Sequence, residues 1–142
     1  LSDTLAIEAL YRALHVHLAG LCGGNHFPFI APPTTPTPFI IYGFESGGET
    51  DRRRRDNQTL TLVVKCIADQ LEGSLMNARQ IRDLLRDQGD QEGATFPLDA
   101  EWRFTTISQG LLVHLYEEWE DGQVFYHTGY QYTFTMERKT DG

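Results

Sequence analysis

Cysteine is scarce in this chain of 142 residues, with only Cys22 and Cys66. Two isolated cysteines make no disulfide framework and are expected to be buried free thiols in a reducing compartment. No stretch approaches the roughly 18 consecutive apolar residues of a membrane-spanning helix. The opening residues Leu1-Ser2-Asp3-Thr4 lack the basic start and apolar run of a signal peptide. Basic charge is also short: 12 Lys and Arg against 20 Asp and Glu leave a net charge of -8. That balance argues against a protein that wraps a duplex and neutralises its phosphates. It remains compatible with DNA sliding past, because negative walls repel phosphate.

The patterns that carry common chemistries are missing as well. His15 and His17 are two apart on a predicted helix and point to different sides, unlike a zinc pair at i and i+4. His26, His114 and His127 add no ligand spacing. Gly47-Gly48 lacks the lysine and further glycines of a phosphate loop. Cys66 lies in a strand-like run, where a packed thiol is the simpler reading than a nucleophile. Glu117, Glu118, Glu120 and Asp121 form the densest carboxylate cluster and read as an exposed hairpin end. The expectation is therefore a protein that is not an enzyme and holds no metal or cofactor.

What is present is periodicity. Composition is ordinary for a globular protein, 40% hydrophobic and 23% charged. The length suits one domain, residues 1–142, burying about two-thirds of its unfolded surface. A helix is predicted over residues 3–21, capped by Ser2 or Asp3, with Ile7, Leu10, Leu14, Leu18 and Leu21 as its stripe and Gly23-Gly24 as its stop. Ala31-Pro32-Pro33-Thr34-Thr35-Pro36-Thr37-Pro38 excludes helix and reads as a stiff extended connection. Phe39-Ile40-Ile41-Tyr42 follows as a strand apolar on both faces.

A long polar loop is expected over residues 45–58. Its arginines Arg52, Arg53, Arg54 and Arg55 sit between acids and suit the tip of a hairpin, solvated or touching a neighbour. In the strand 59–66, Leu60, Leu62, Val64 and Cys66 share one face. A helix over 68–87 should turn Leu71, Leu75, Ala78, Ile81 and Leu85 inward, with Leu84 beside them. Strands are predicted at 101–107, with Trp102, Phe104 and Thr106 on one face, and separately at 111–118. Asp121-Gly122 marks a turn. In the last strand Tyr130, Tyr132, Phe134 and Met136 share a face, as a buried core or an intersubunit surface. The fold class predicted is α+β, two helices packed on a mostly antiparallel β-sheet.

The order of these segments resembles a known family. The helix Ala6-Ile7-Glu8-Ala9-Leu10-Tyr11-Arg12-Ala13-Leu14 precedes a proline-rich connection and Pro38-Phe39-Ile40-Ile41-Tyr42. A polar excursion leads to Leu60-Thr61-Leu62-Val63-Val64-Lys65-Cys66-Ile67-Ala68-Asp69, then to Ala78-Arg79-Gln80-Ile81-Arg82-Asp83-Leu84-Leu85. Trp119-Glu120-Asp121 and Tyr126-His127-Thr128-Gly129-Tyr130-Gln131-Tyr132-Thr133-Phe134 complete it. Across nearly the whole chain this resembles the tail-completion, or tail-terminator, proteins of long-tailed bacteriophages and gene-transfer particles.

The resemblance implies a six-subunit ring at the head-proximal end of the tail. The ring would cap the major tail-tube protein and join tail to neck, with genome DNA passing through the lumen. Its partners would be other copies of itself, the tube protein, and a connector or head-closure protein. Its location would be the virion, and the host cytoplasm during assembly. The interface residues expected are Arg52 to Arg55 in the loop, Phe39 and Ile41 in the early strand, and Tyr130, Tyr132 and Phe134 in the last. An adjacent connector or head-closure protein, or a small ligand-binding or catalytic α+β domain, is the alternative. The polar excursion at 45–58 and the connection at 89–95 are longer than in the simplest members.

Overall fold

Ala6–His17 forms helix α1 from residues with good helical propensity. Its first turn is held by Glu8, whose Oε1 accepts from the Leu5 N–H at 3.3 Å and whose other oxygen pairs with Arg12 one turn on. In this computed structural model, residues 5–49, 57–85 and 101–138 are described. The expected caps Ser2 and Asp3 lie outside them. Ala6, Ala9, Leu10, Ala13 and Leu14 face the core, so small alanines bring the helix close to the sheet. The helix ends earlier than predicted. Leu18–Gly20 and Cys22–Gly24 tighten into two 3-10 turns, and Gly23 and Gly24 adopt positive φ where a side chain would strain the backbone.

The strands are β1 (His26–Pro28), β2 (Phe39–Glu49), β3 (Asn57–Ala68), β4 (Trp102–Glu118) and β5 (Val124–Arg138), with helix α2 (Leu71–Leu85) between β3 and β4. The sheet order is β1-β2-β3-β5-β4. β1 runs parallel to β2, and every other pairing is antiparallel. Both helices lie on one face. This is the predicted α+β class, two helices on a mostly antiparallel sheet. The core joins the α1 stripe to Ile40, Tyr42, Leu60, Leu62, Val64 and Cys66, and to Ile81, Leu85, Trp102, Tyr132, Phe134 and Met136. Each large side chain buried there contributes about 1.5–3 kcal/mol.

Four local expectations are corrected. Residues 101–107 and 111–118 belong to the single strand β4, in which Gly110 and Leu111 are accommodated as a register shift between Gln109 and Leu112. A second shift between Phe104 and Thr106 changes the strand's phase, so Ile107 is buried and Thr106 exposed. The polar interval 45–58 is shorter as a loop, because β2 and β3 stay paired out to Glu49 and Gln58 past an irregularity at Glu45. The inward stripe of α2 is Ser74, Asn77, Ala78, Ile81 and Leu85, while Leu71 and Leu75 are exposed.

That last rotation has a hydrogen-bond cause. Ser74 Oγ reaches Leu71 O at 2.8 Å and Thr128 Oγ1 on β5 at 3.0 Å, and Asn77 Nδ2 donates to Gly73 O at 2.8 Å. Buried polar groups are tolerated where they are satisfied. Thr128 also meets His114 Nδ1 on β4 at 2.9 Å, so one hydroxyl links α2, β5 and β4.

Candidate functional site: the uncovered sheet face and its edges

The sheet face away from the helices alternates with the core residues. It presents Phe39 and Ile41 from β2, Lys65 and Ile67 from β3, and Phe125 and His127 from β5. The segment after β1 crosses over this face. Prolines remove backbone donors from it, and the turn is held by Thr35, whose N–H and hydroxyl both donate to Pro32 O at 3.0 and 2.7 Å. Segment and sheet line a groove of about 710 Å³, with Trp119 at the β4–β5 turn also among its walls. The turn forms where Asp121-Gly122 predicted it: Gly122 has φ 85°, and Asp121 accepts from the Gln123 N–H at 3.0 Å.

Three ionisable groups converge in this groove. His127 is buried, and its Nε2 lies 2.9 Å from Glu117 Oε1. With Nε2–H donating to the carboxylate, Nδ1 is left as a bare buried acceptor with no protein partner. Protonation would put an unsatisfied N–H there, so burial pulls His127 below the ordinary histidine range, and the nearby Lys65 ammonium adds to this. The Glu117 carboxylate opposes both. Burial likewise lowers Lys65, again against Glu117. Lys65 is the only Lys or Arg among the groove's lining residues. A weakened ammonium, a neutral imidazole and a carboxylate against apolar walls can hold a polar end group of an otherwise apolar partner. Gly129 makes this geometry possible. It pairs with Lys65, and a Cβ there would collide with the carbonyl oxygen of Val64 and lie 2.5 Å from Lys65 Cα.

The predicted interface residues divide. Phe39 and Ile41 line the groove. Tyr130 is half-buried on the helix side, edge-on to Tyr132. Tyr132 and Phe134 are corrected: they are 1% and 0% exposed, covered by the protein's own helices, and so offer no surface to a neighbour. Arg52, Arg53, Arg54 and Arg55 lie outside the described residues. Cys66 is buried as expected, but Cys22 is only partly so. The two thiols interact, which holds Cys22 low against the effect of its burial and, together with burial, pushes Cys66 above the thiol range.

Other surface was not singled out from sequence. Phe29, Ile30, Leu111, Leu112, Leu115, Tyr116 and Trp119 are all large, apolar and exposed. The signal was available: Leu111-Leu112-Val113-His114-Leu115-Tyr116 is apolar in both phases of a strand, more than one buried face requires. Lys65, Glu117 and His127 carried none, since only the β3–β5–β4 register brings them together. Among the described residues, no group of three His, Cys, Asp or Glu side chains is placed to hold a metal, and no helix is long and apolar enough to cross a membrane. No protein-family model matches the chain, and no curated protein is significantly similar to it.

Proposed function

We propose that this protein is a ring-forming structural subunit that caps the tail tube and joins tail to neck in a long-tailed bacteriophage or gene-transfer particle. The observation that carries the reading is a sheet whose outer strands leave large apolar side chains exposed, Phe29 and Ile30 at one side and Leu111 to Tyr116 at the other. Exposed apolar edges require a partner. The element order supports the same reading: α1, a proline-rich crossing, the β2–β3 pair, α2, then the β4–β5 pair. That is the order on which the family resemblance rests. The net charge of -8 suits a lumen past which DNA slides.

Particles assembled without this protein should have tails with faulty head-proximal ends, or tails that fail to join heads. Tails of normal length, normal joining and full infectivity in its absence would reject the role. A second reading rests on the groove over Lys65, Glu117 and His127, which suits a small-ligand-binding domain. Lys65→Met separates the two: tail completion should survive it, whereas a ligand-binding function should not.

A further inference from the structure

The two outer edges of the sheet share cross-strand rows. One row runs Pro28, Tyr42, Val64, Tyr130, Leu112; another runs His26, Ile40, Cys66, Thr128, His114. β1 at one edge and the 112–116 part of β4 at the other therefore lie at the same level, about 19 Å apart across four strand spacings. Phe29 and Ile30, just after β1, are 62% and 79% exposed; across the sheet Leu111 and Leu112 are 70% and 57% exposed. Neither edge has a further strand beside it among the described residues.

Both edges also lack charged guards, although β1 is short and ends in Pro28, and β4 carries two register shifts. Charged side chains are one of the devices by which monomeric proteins protect open strands. Residues 25–44 contain no Asp, Glu, Lys or Arg, and neither do residues 104–116, in a chain that is 23% charged. Two apolar stretches free of charge, 25–44 at the β1 edge and 104–116 within β4, mark two surfaces suited to being covered.

We infer that each edge is covered by the opposite edge of a second copy of this chain, β4 of one copy lying against β1 and the Phe29–Ile30 segment of the next. Strand direction favours this. β4 opposes β5, β5 opposes β3, and β3 opposes β2, so β4 runs opposite to β2 and to its parallel neighbour β1. A copy rotated about an axis along the strands keeps these directions and continues the antiparallel pattern. Pairing of two β4 strands across a two-fold axis would leave Phe29 and Ile30 uncovered. The head-to-tail contact covers both patches, and it makes a ring wherever the rotation closes. Closure into a ring rests on the functional reading above; the edge pairing stands on the two patches.

The test uses the full chain with one edge blocked at a time, Leu112→Lys at β4 and Ile30→Asp beside β1. Both side chains are exposed, and thermal unfolding of each variant should stay within a few degrees of the parent; Leu111→Lys replaces Leu112→Lys if that variant unfolds. Native mass measurement up to millimolar protein should show concentration-dependent oligomers for the parent. Each variant alone should weaken association at least tenfold and run as a single chain. Their equimolar mixture should form a two-chain species with one of each, and nothing larger, because only one compatible pair of edges remains. A parent that is a single chain at every concentration overturns the inference. So does a dimer formed by Ile30→Asp alone, which would mean β4 pairs with itself. Head-to-tail oligomers from a protein dispensable for tail completion would sink the functional reading and leave this one standing. A ring in the particle held by other surfaces would do the reverse.

Discussion

β5 and β4 are neighbours in one antiparallel ladder, yet they live in different environments. On β5, Tyr132, Phe134 and Met136 lie under the helices at 1% exposure or less. On β4, the helix side is buried at Trp102 and Ile107, but beyond the second register shift Leu112 and Tyr116 stand open on that same side. Both strands are rich in apolar residues. The protein's own helices satisfy one of them and leave the other for something else, so apolar content marks what must be covered without saying by what.

Breaking the satisfied strand should have the largest effect. Phe134→Ala removes a fully buried ring that packs on Phe104 and Tyr132, and should destabilise the fold by about 3–5 kcal/mol in denaturant unfolding. Gly129→Ala should follow at about 1–3 kcal/mol, because the new methyl group meets the backbone of β3 rather than a flexible side chain. A Gly129→Ala variant as stable as the parent would mean that β3 and β5 are not held at this separation. Ser74→Ala, which leaves the buried Thr128 hydroxyl with His114 alone, should lose about 1 kcal/mol.

The comparison sharpens with pH. His127 and His26 are both depressed below the ordinary value near 6.5, in each case first by burial; His15 adds to this at His26, and Glu117 resists it at His127. The unfolded chain therefore takes up these protons before the folded one does. Stability is held above about pH 6.5 and falls as pH drops through that value. A melting temperature followed downward from neutral pH should decline, and His127→Gln should flatten part of the decline while His26 supplies the rest. An unchanged slope in that variant would remove His127 from the account.

Much of the fold was legible because alternation survives in β3 and β5: Leu60, Leu62, Val64 and Cys66 are all buried, as their spacing required. Legibility failed where phase is set by tertiary contacts. The register shift after Phe104 exchanged Thr106 for Ile107, and no local propensity announces it. In α2 the leucine spacing pointed to Leu71 and Leu75, but the bond between Ser74 and the Thr128 hydroxyl turns Ser74 toward the sheet, and Asn77 is buried on the same side, satisfied by Gly73 O. The candidate site suffered from a different ambiguity. An aromatic face looks the same whether a helix or a neighbour covers it, so the face of Tyr132 and Phe134 reads from sequence as a buried core or an intersubunit surface, and it is core. The groove depends on a proline-rich segment folding over the sheet, which pattern alone does not place.

The smallest effect on the isolated chain is the most informative about the open strand. Leu115→Ser exchanges a side chain that is 47% exposed on the outer part of β4. If nothing in the monomer depends on it, unfolding should shift by no more than about 0.5 kcal/mol, the usual range for surface substitutions. Its physical neighbours support that expectation: its β5 partner is His127, whose hydrogen bond runs to Glu117 and not toward Leu115. A neutral result in dilute solution, joined to weaker association at high concentration, is the signature of a residue kept for a second molecule. A loss of about 2 kcal/mol or more in the monomer would instead place Leu115 in the intramolecular core and erase the contrast between β4 and β5.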